Sequence, residues 1–136
     1  MADFDLTIRN GLIATASETF EADIGIRDGV IVALEKGLAP GVRDIDAGGR
    51  WVLPGGVDSH CHVEQLSGMG VMCADDFYSA TVSAAFGGTT TIMPFAAQHR
   101  GMRIPDVSDD HAARAHAKAV LDYGFRPIRT DPTDET

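Results

Sequence analysis

Trp51-Val52-Leu53-Pro54-Gly55-Gly56-Val57-Asp58-Ser59-His60-Cys61-His62 is the stretch on which the reading of this chain turns. An apolar run meets a Pro-Gly-Gly break, resumes at Val57 and ends in His-Cys-His. On a β-strand alternate side chains share a face, so His60 and His62 point one way and Cys61 the other. Two imidazoles about 6.6 Å apart along the chain are able to converge on one divalent cation through neutral ring nitrogens. The same alternation puts Asp58 on the imidazole face, where it either orients a ring as an outer carboxylate or caps a strand end. A lone H-x-H is often just two surface or packed histidines, so the surrounding sequence has to carry the weight.

Toward the C-terminus, Asp75-Asp76 supplies acidic side chains suited to a helix N-terminus. Phe77, Thr81 and Ala84 then fall on one helical face, and Gly87-Gly88 stops the helix. Thr89 to Phe95 is β-branched and apolar, a buried strand closed by Pro94. Strand, helix and strand with short connections predict a βαβ unit with parallel pairing. Ser108 is expected to cap a second helix running to Tyr123, with Gly124 ending it. On that helix His111 and His116 are about 140° apart and read as surface residues. His99 lies in the preceding loop, on the histidine rim or simply solvated.

Toward the N-terminus the pattern is short and β-like. Asn10-Gly11 and Asp28-Gly29 both read as tight hairpin turns, which predicts a small antiparallel sheet. Residues 36–42 form a loop, 43–45 a further strand, and 46–50 a turn leading into Trp51. No chemistry is expected from this region.

The chain has 136 residues, with 20 acidic and 11 basic side chains and a formal charge of −9. Such a balance repels phosphate backbones and anionic membrane surfaces, so neither nucleic acid nor membrane is expected as a partner. The MADFDLTIRN terminus has no signal-peptide pattern, and no apolar run approaches the roughly 20 residues of a span; a cytoplasmic protein is expected. Cys61 and Cys73 lack metal-ribbon spacing and read as buried free thiols, with a site built from Cys61, His62 and Cys73 as the minor alternative.

VLPGGVDSHCH followed by ADDFYSATVSAAFGGTTTIMPF resembles the amidohydrolase superfamily, in its hydantoinase and dihydropyrimidinase branch of cyclic-amide hydrolases. The resemblance implies an α/β fold. Residues 1–52 correspond to part of a small β-sandwich, and residues 53–136 to the first two to three βα units of a TIM (β/α)8 barrel. D-x-H-x-H closes the first barrel strand and GGTTT opens the second. His60 and His62 are implied as ligands of one ion of a binuclear centre, zinc foremost and manganese as the alternative. The family's carboxylated lysine from strand 4, histidines from strands 5 and 6 and aspartate from strand 8 have no counterpart among these residues. The loop after the histidines, with Val63, Leu66, Met69 and Met72, is either a substrate mouth or an ordinary connection that packs down.

A full barrel needs about 250 residues, so the chain is read as incomplete by itself and inactive alone. It is then the N-terminal part of a cyclic-amide hydrolase, the first subunit of a split enzyme completed by another chain, or a non-catalytic scaffold. A small cyclic amide is the implied substrate, and a homo-oligomer or a complementing C-terminal chain the implied assembly. The stretch from Phe125 to Pro132 is where the third barrel strand belongs. Arg126 and Arg129 fall on opposite faces and Pro127 removes a donor, so a frayed edge or disordered tail is expected there.

Overall fold

A computed structural model describes residues 2–132. The chain divides into two compact units, Met1–Pro54 and Gly55–Thr136.

In the first unit β1 (Leu6–Ala14), β2 (Thr19–Arg27), β3 (Val30–Glu35), β4 (Arg43–Asp46) and β5 (Trp51–Val52) form one sheet. β1 pairs antiparallel with β2, and β2 with β3. β4 and β5 both run parallel to β1, so the sheet is mixed rather than antiparallel throughout. Asp28-Gly29 is the expected turn, with both residues at positive φ. Asn10-Gly11 is not a turn. β1 runs straight through it with a register shift between Ile8 and Gly11, and Asn10 alone takes φ 56°. The strands instead reverse at Thr15–Glu18, where Thr15 N–H donates to Glu18 O at 2.9 Å. Gly11 is required by packing, since a Cβ there would lie 2.8 Å from Val52 Cγ2. Ile13, Ala22 and Ile24 form the core of this sheet, supported by Ile8, Phe20, Ile26 and Val52.

In the second unit β6 (Gly56–Cys61) leads through a loop to α1 (Phe77–Phe86) and β7 (Thr89–Ala97). α2 (Ile104–Lys118), β8 (Asp122–Tyr123) and β9 (Arg126–Ile128) follow. β6 and β7 pair in parallel, as do β7 and both β8 and β9. α1 begins as its sequence demands: Asp76 caps it by accepting from Ser79 N–H at 2.9 Å, while Asp76 N–H donates to Ser79 Oγ, a reciprocal capping box. Phe77 and Thr81, both fully buried, mark the face that packs down. Phe77 joins Val63, Ile92 and Ala115 in the core, with Ala84, Tyr123 and Phe125 around them.

Three expectations change here. α2 starts four residues before Ser108, because Pro105 suits a helix's first turn and Arg103 takes the extended cap position. It also ends at Lys118, well short of Gly124. His111 is only 5% exposed: its Nδ1 lies 3.0 Å from Val107 O and its ring stands edge-on to Phe125. Burial pushes its imidazole below the ordinary value. β7 continues through Pro94 to Ala97 instead of closing there.

The third strand position is occupied and in register, not frayed. Tyr123 pairs with Ile92 and Arg126 with Phe95, so Tyr123 and Phe125 face the core while Arg126 faces the other way. Gly124 N–H donates to Ile92 O, and Ile128 O accepts from Gln98 N–H. Even-numbered residues therefore bond β7, and the donor that Pro127 lacks falls on the outer edge, where proline is tolerated. Buried Gln98 fastens this end: its Oε1 accepts from Thr130 and Asp131 N–H, and its Nε2 donates to Met102 O. The tail expected to continue to Thr136 lies, from residue 133 on, outside the described residues.

Candidate metal-binding histidine pair

His60 and His62 stand at the C-terminal end of β6, both exposed. Their ring centroids are 6.1 Å apart, and both pack against Phe95 of β7, at 4.8 and 5.1 Å. Cys61 turns inward against the core, as alternation requires. The cysteines are free and half-buried, and burial together with the Asp58 carboxylate pushes the Cys61 thiol up.

The alternation fails one step earlier. Asp58 pairs with Ile92 and Cys61 with Pro94, so β6 carries one extra residue between them. That bulge puts Asp58 on the Cys61 side, where both line a hollow of about 300 Å³ under α1. Asp58 Oδ1 accepts the backbone N–H of His60 at 3.0 Å. It holds the bulged backbone and does not share a face with the imidazoles, because the register shift reverses the parity on which that expectation rested.

The group that engages an imidazole is Gln65. Its Oε1 lies 2.7 Å from His62 Nδ1. An amide oxygen only accepts, so this contact needs a proton on Nδ1, and in the neutral ring Nε2 is then the nitrogen that can bind a metal. The next residue along from His62, Val63, is buried in the core and is no part of a mouth. Glu64 follows at φ 46° and is anchored on three sides. Its carboxylate accepts from Phe77 N–H at 3.1 Å and from Lys118 Nζ at 2.9 and 3.0 Å, and its carbonyl accepts from Arg114 Nη1 at 2.6 Å. Burial raises the Glu64 carboxyl, but the Lys118 and Phe77 bonds outweigh it and the net shift is downward. The chain leaving His62 is thereby tied to both helices.

Beyond Glu64 the loop folds back as a small hairpin. Leu66 bridges Met72, Ser67 N–H donates to Val71 O at 2.8 Å, and Cys73 N–H donates to Gln65 O at 3.0 Å. Leu66, Met69, Val71 and Met72 are all exposed, Met69 at 88%. Of the loop residues considered, Val63 packs down and the other three stand outward. His99 is half-buried on the loop after β7.

Among the described residues no group of three or more histidine, cysteine or carboxylate side chains is gathered for a metal ion. The pair fits half a donor set: two neutral nitrogens on one side, with a hydrogen-bonded amide behind one of them. Catalytic zinc sites use three protein ligands and an open position. Gln65, Glu64 and Arg126 escaped sequence reading because their partnerships depend on a loop conformation or on residues far along the chain. Phe95 was accessible by counting alternate positions from the buried Ile92.

An α/β unit whose first strand ends in paired imidazoles, preceded along the chain by a β-sheet unit, is the class of structure defined so far. Comparison with known proteins makes it specific. The chain is 46% identical over 130 residues to the D-hydantoinase of Ralstonia pickettii, covering 96% of this chain and 28% of that protein. It is 42% identical over 129 residues to the D-hydantoinase of Geobacillus stearothermophilus, covering 94% and 27%, and 37% identical over 126 residues to the dihydropyrimidinase of Rattus norvegicus, covering 88% and 24%. Among solved structures, a D-hydantoinase superposes with a TM-score of 0.90 at 46% identity, covering 96% of this chain and 28% of the other. The dihydropyrimidinase from Brevibacillus agri gives 0.88 at 39%, covering 94% and 28%. No family profile matches the chain. It is thus a homologue of the N-terminal portion of D-hydantoinases and dihydropyrimidinases, and it spans about a quarter of the length of the curated relatives it matches.

Proposed function

We propose that these residues are the N-terminal part of a metal-dependent cyclic-amide hydrolase of the hydantoinase and dihydropyrimidinase type, and that Gly55 onward opens a (β/α)8 barrel. The observation that carries this reading is the imidazole pair itself, exposed at the C-terminal end of a parallel strand with rings 6.1 Å apart. In that architecture the C-terminal strand ends carry the active site.

In the reaction, the hydroxyl of water adds to a ring amide carbon, the C–N bond breaks, and the released nitrogen takes up the proton. An open-chain carboxylic acid results and releases its proton to solvent, leaving the carboxylate. A divalent ion bound here, zinc or manganese, would supply Lewis acidity and lower the pKa of bound water toward about 7. His60 and His62 would hold one side of it, with the remaining donors supplied by polypeptide outside these 136 residues. Gln65 fixes the His62 tautomer. Phe95 forms an apolar floor against both rings, excluding water from that side. Leu66, Met69 and Met72 offer an apolar rim to a ring substituent.

The test separates the two layers of this reading. The 136-residue chain should hydrolyse neither hydantoin nor dihydrouracil with zinc or manganese added, yet bind zinc through its histidines. Metal-dependent turnover tracking this polypeptide would show that external donors are not needed. Unchanged zinc binding after replacing both His60 and His62 with Ala would remove the metal role.

A further inference from the structure

Among the described residues, Arg126 is the strong cation placed in the same row as the histidines. Cys61 pairs with Pro94 and Phe95 with Arg126, so His62, Phe95 and Arg126 lie side by side across three parallel strands, on the face opposite the core. The guanidinium carbon sits 5.7 Å from the centre of the Phe95 ring, and His60 and His62 pack on that same ring. Nη1 donates to Ser59 O at 2.9 Å, so the side chain crosses β7 and fastens onto the histidine strand.

Among the described residues that bond occupies one of the five guanidinium N–H donors. No carboxylate of the described residues pairs with Arg126, whereas Arg9 pairs with Asp44 and Arg114 with both Glu64 and Asp110. In a chain carrying −9, an arginine held beside the site without an acidic partner is positioned for an anion from outside. Its planar fork matches a carboxylate in shape, and the apolar Phe95 ring beneath strengthens the attraction.

We propose that Arg126 is a carboxylate-binding residue of this site. The proposal rests on the hydrolase reading for the location of the substrate. The carboxylate comes either from ring opening, which converts a neutral amide into an acid, or from an acidic substituent carried by the ring. In both cases the guanidinium holds the anion across Phe95 from the imidazoles.

The test is calorimetric titration of the full chain with three probes: N-carbamoylglycine, hydantoin-5-acetate and neutral hydantoin. Wild type should bind at least one carboxylate about tenfold tighter than hydantoin, and Arg126→Gln should lose about that factor. Arg126→Lys should recover part of it, since it keeps the charge but not the fork. Any fall in melting temperature from the lost Ser59 bond should leave the neutral hydantoin titration where it was in both variants, whereas a purely structural role would weaken all three probes alike. A preference for N-carbamoylglycine alone assigns the ring-opened acid; a preference for hydantoin-5-acetate alone assigns the substituent. No carboxylate preference, or one that survives in Arg126→Gln, overturns the proposal. Zinc binding measured in parallel keeps the two readings apart. Zinc held by the histidines without carboxylate preference sinks this inference only, and carboxylate binding through Arg126 without zinc sinks the metal role only.

Discussion

The two units use their polar side chains in opposite ways. In Met1–Pro54 the buried Asp23, 5% exposed, turns its carboxylate onto its own fold, accepting from the N–H groups of Asn10 at 2.7 Å, Gly37 at 2.8 Å and Leu38 at 2.9 Å. One side chain thus holds the β1 bulge and the loop after β3 together. In Gly55–Thr136 the hydrophobic core is closed beneath α1 and α2, while His60, His62 and Arg126 stand exposed at strand ends. Where polar groups are consumed internally a unit is built for rigidity. Where they are left facing outward, on backbone pinned by Asp58 and Glu64, they are open to the ligand that the proposed function calls for.

The contrast can be broken most forcefully at Phe77. Its ring is fully buried at the start of α1, so Phe77→Ala should cost about 3–5 kcal/mol, read as a lower urea midpoint and faster amide exchange in β7. A loss below about 1 kcal/mol would mean that the second unit is not held by the core described.

Asp23→Ala is the matching test in the first unit, and should cost about 3 kcal/mol because three inward N–H groups lose a charged acceptor. The Asn10 bond, followed by those from Leu38 and Gly37, holds the Asp23 carboxyl below the usual range against the upward push of burial. A lowered folded value contributes stability that is fully present above the ordinary carboxylate range and is lost as pH falls through the folded value. Asp44 works in the same direction, held at about 2 by the Arg9 and Thr7 hydrogen bonds. Acid unfolding of the wild-type sheet should therefore steepen below about pH 4, and the Asp23→Ala variant should show a shallower acid limb.

The smallest effect sharpens the comparison from the other side. Replacing His60 and His62 with Ala together should change stability by less than about 0.5 kcal/mol, since both rings are exposed and neither closes the core. A large loss in urea denaturation would make the histidines structural and erase the distinction between the units.

Local pattern carried much of this fold. The Asp76 cap, the Phe77 and Thr81 face, the Asp28-Gly29 turn and the parallel βαβ unit follow from rules that act over a few residues. Reading failed where a distant contact outweighed the local signal. Asn10-Gly11 has the chemistry of a hairpin turn, but Asp23 captures the Asn10 N–H and Val52 packs on Gly11, so the strand bulges and continues. His111 reads as a surface residue from its separation of about 140° from His116, which says nothing of which face packs down. With the helix begun at Ile104, it packs under Phe125.

The site divides along the same line. His60 and His62 were legible as a pair because two residues on a strand share a face wherever the strand lies. Sequence by itself determined that pair and its inward-facing Cys61, whereas the loop beyond stays open on sequence alone and only the structure buries Val63 and turns Leu66, Met69 and Met72 outward. Only tertiary structure decided that a bulge turns Asp58 away, that Gln65 sets the His62 proton, that Glu64 anchors the loop to two helices, and that Arg126 lies in the histidine row. The physical reason is range: side-chain parity is set by adjacent bonds, whereas register between strands and the partners of a buried charge are set by packing among residues far apart in the chain.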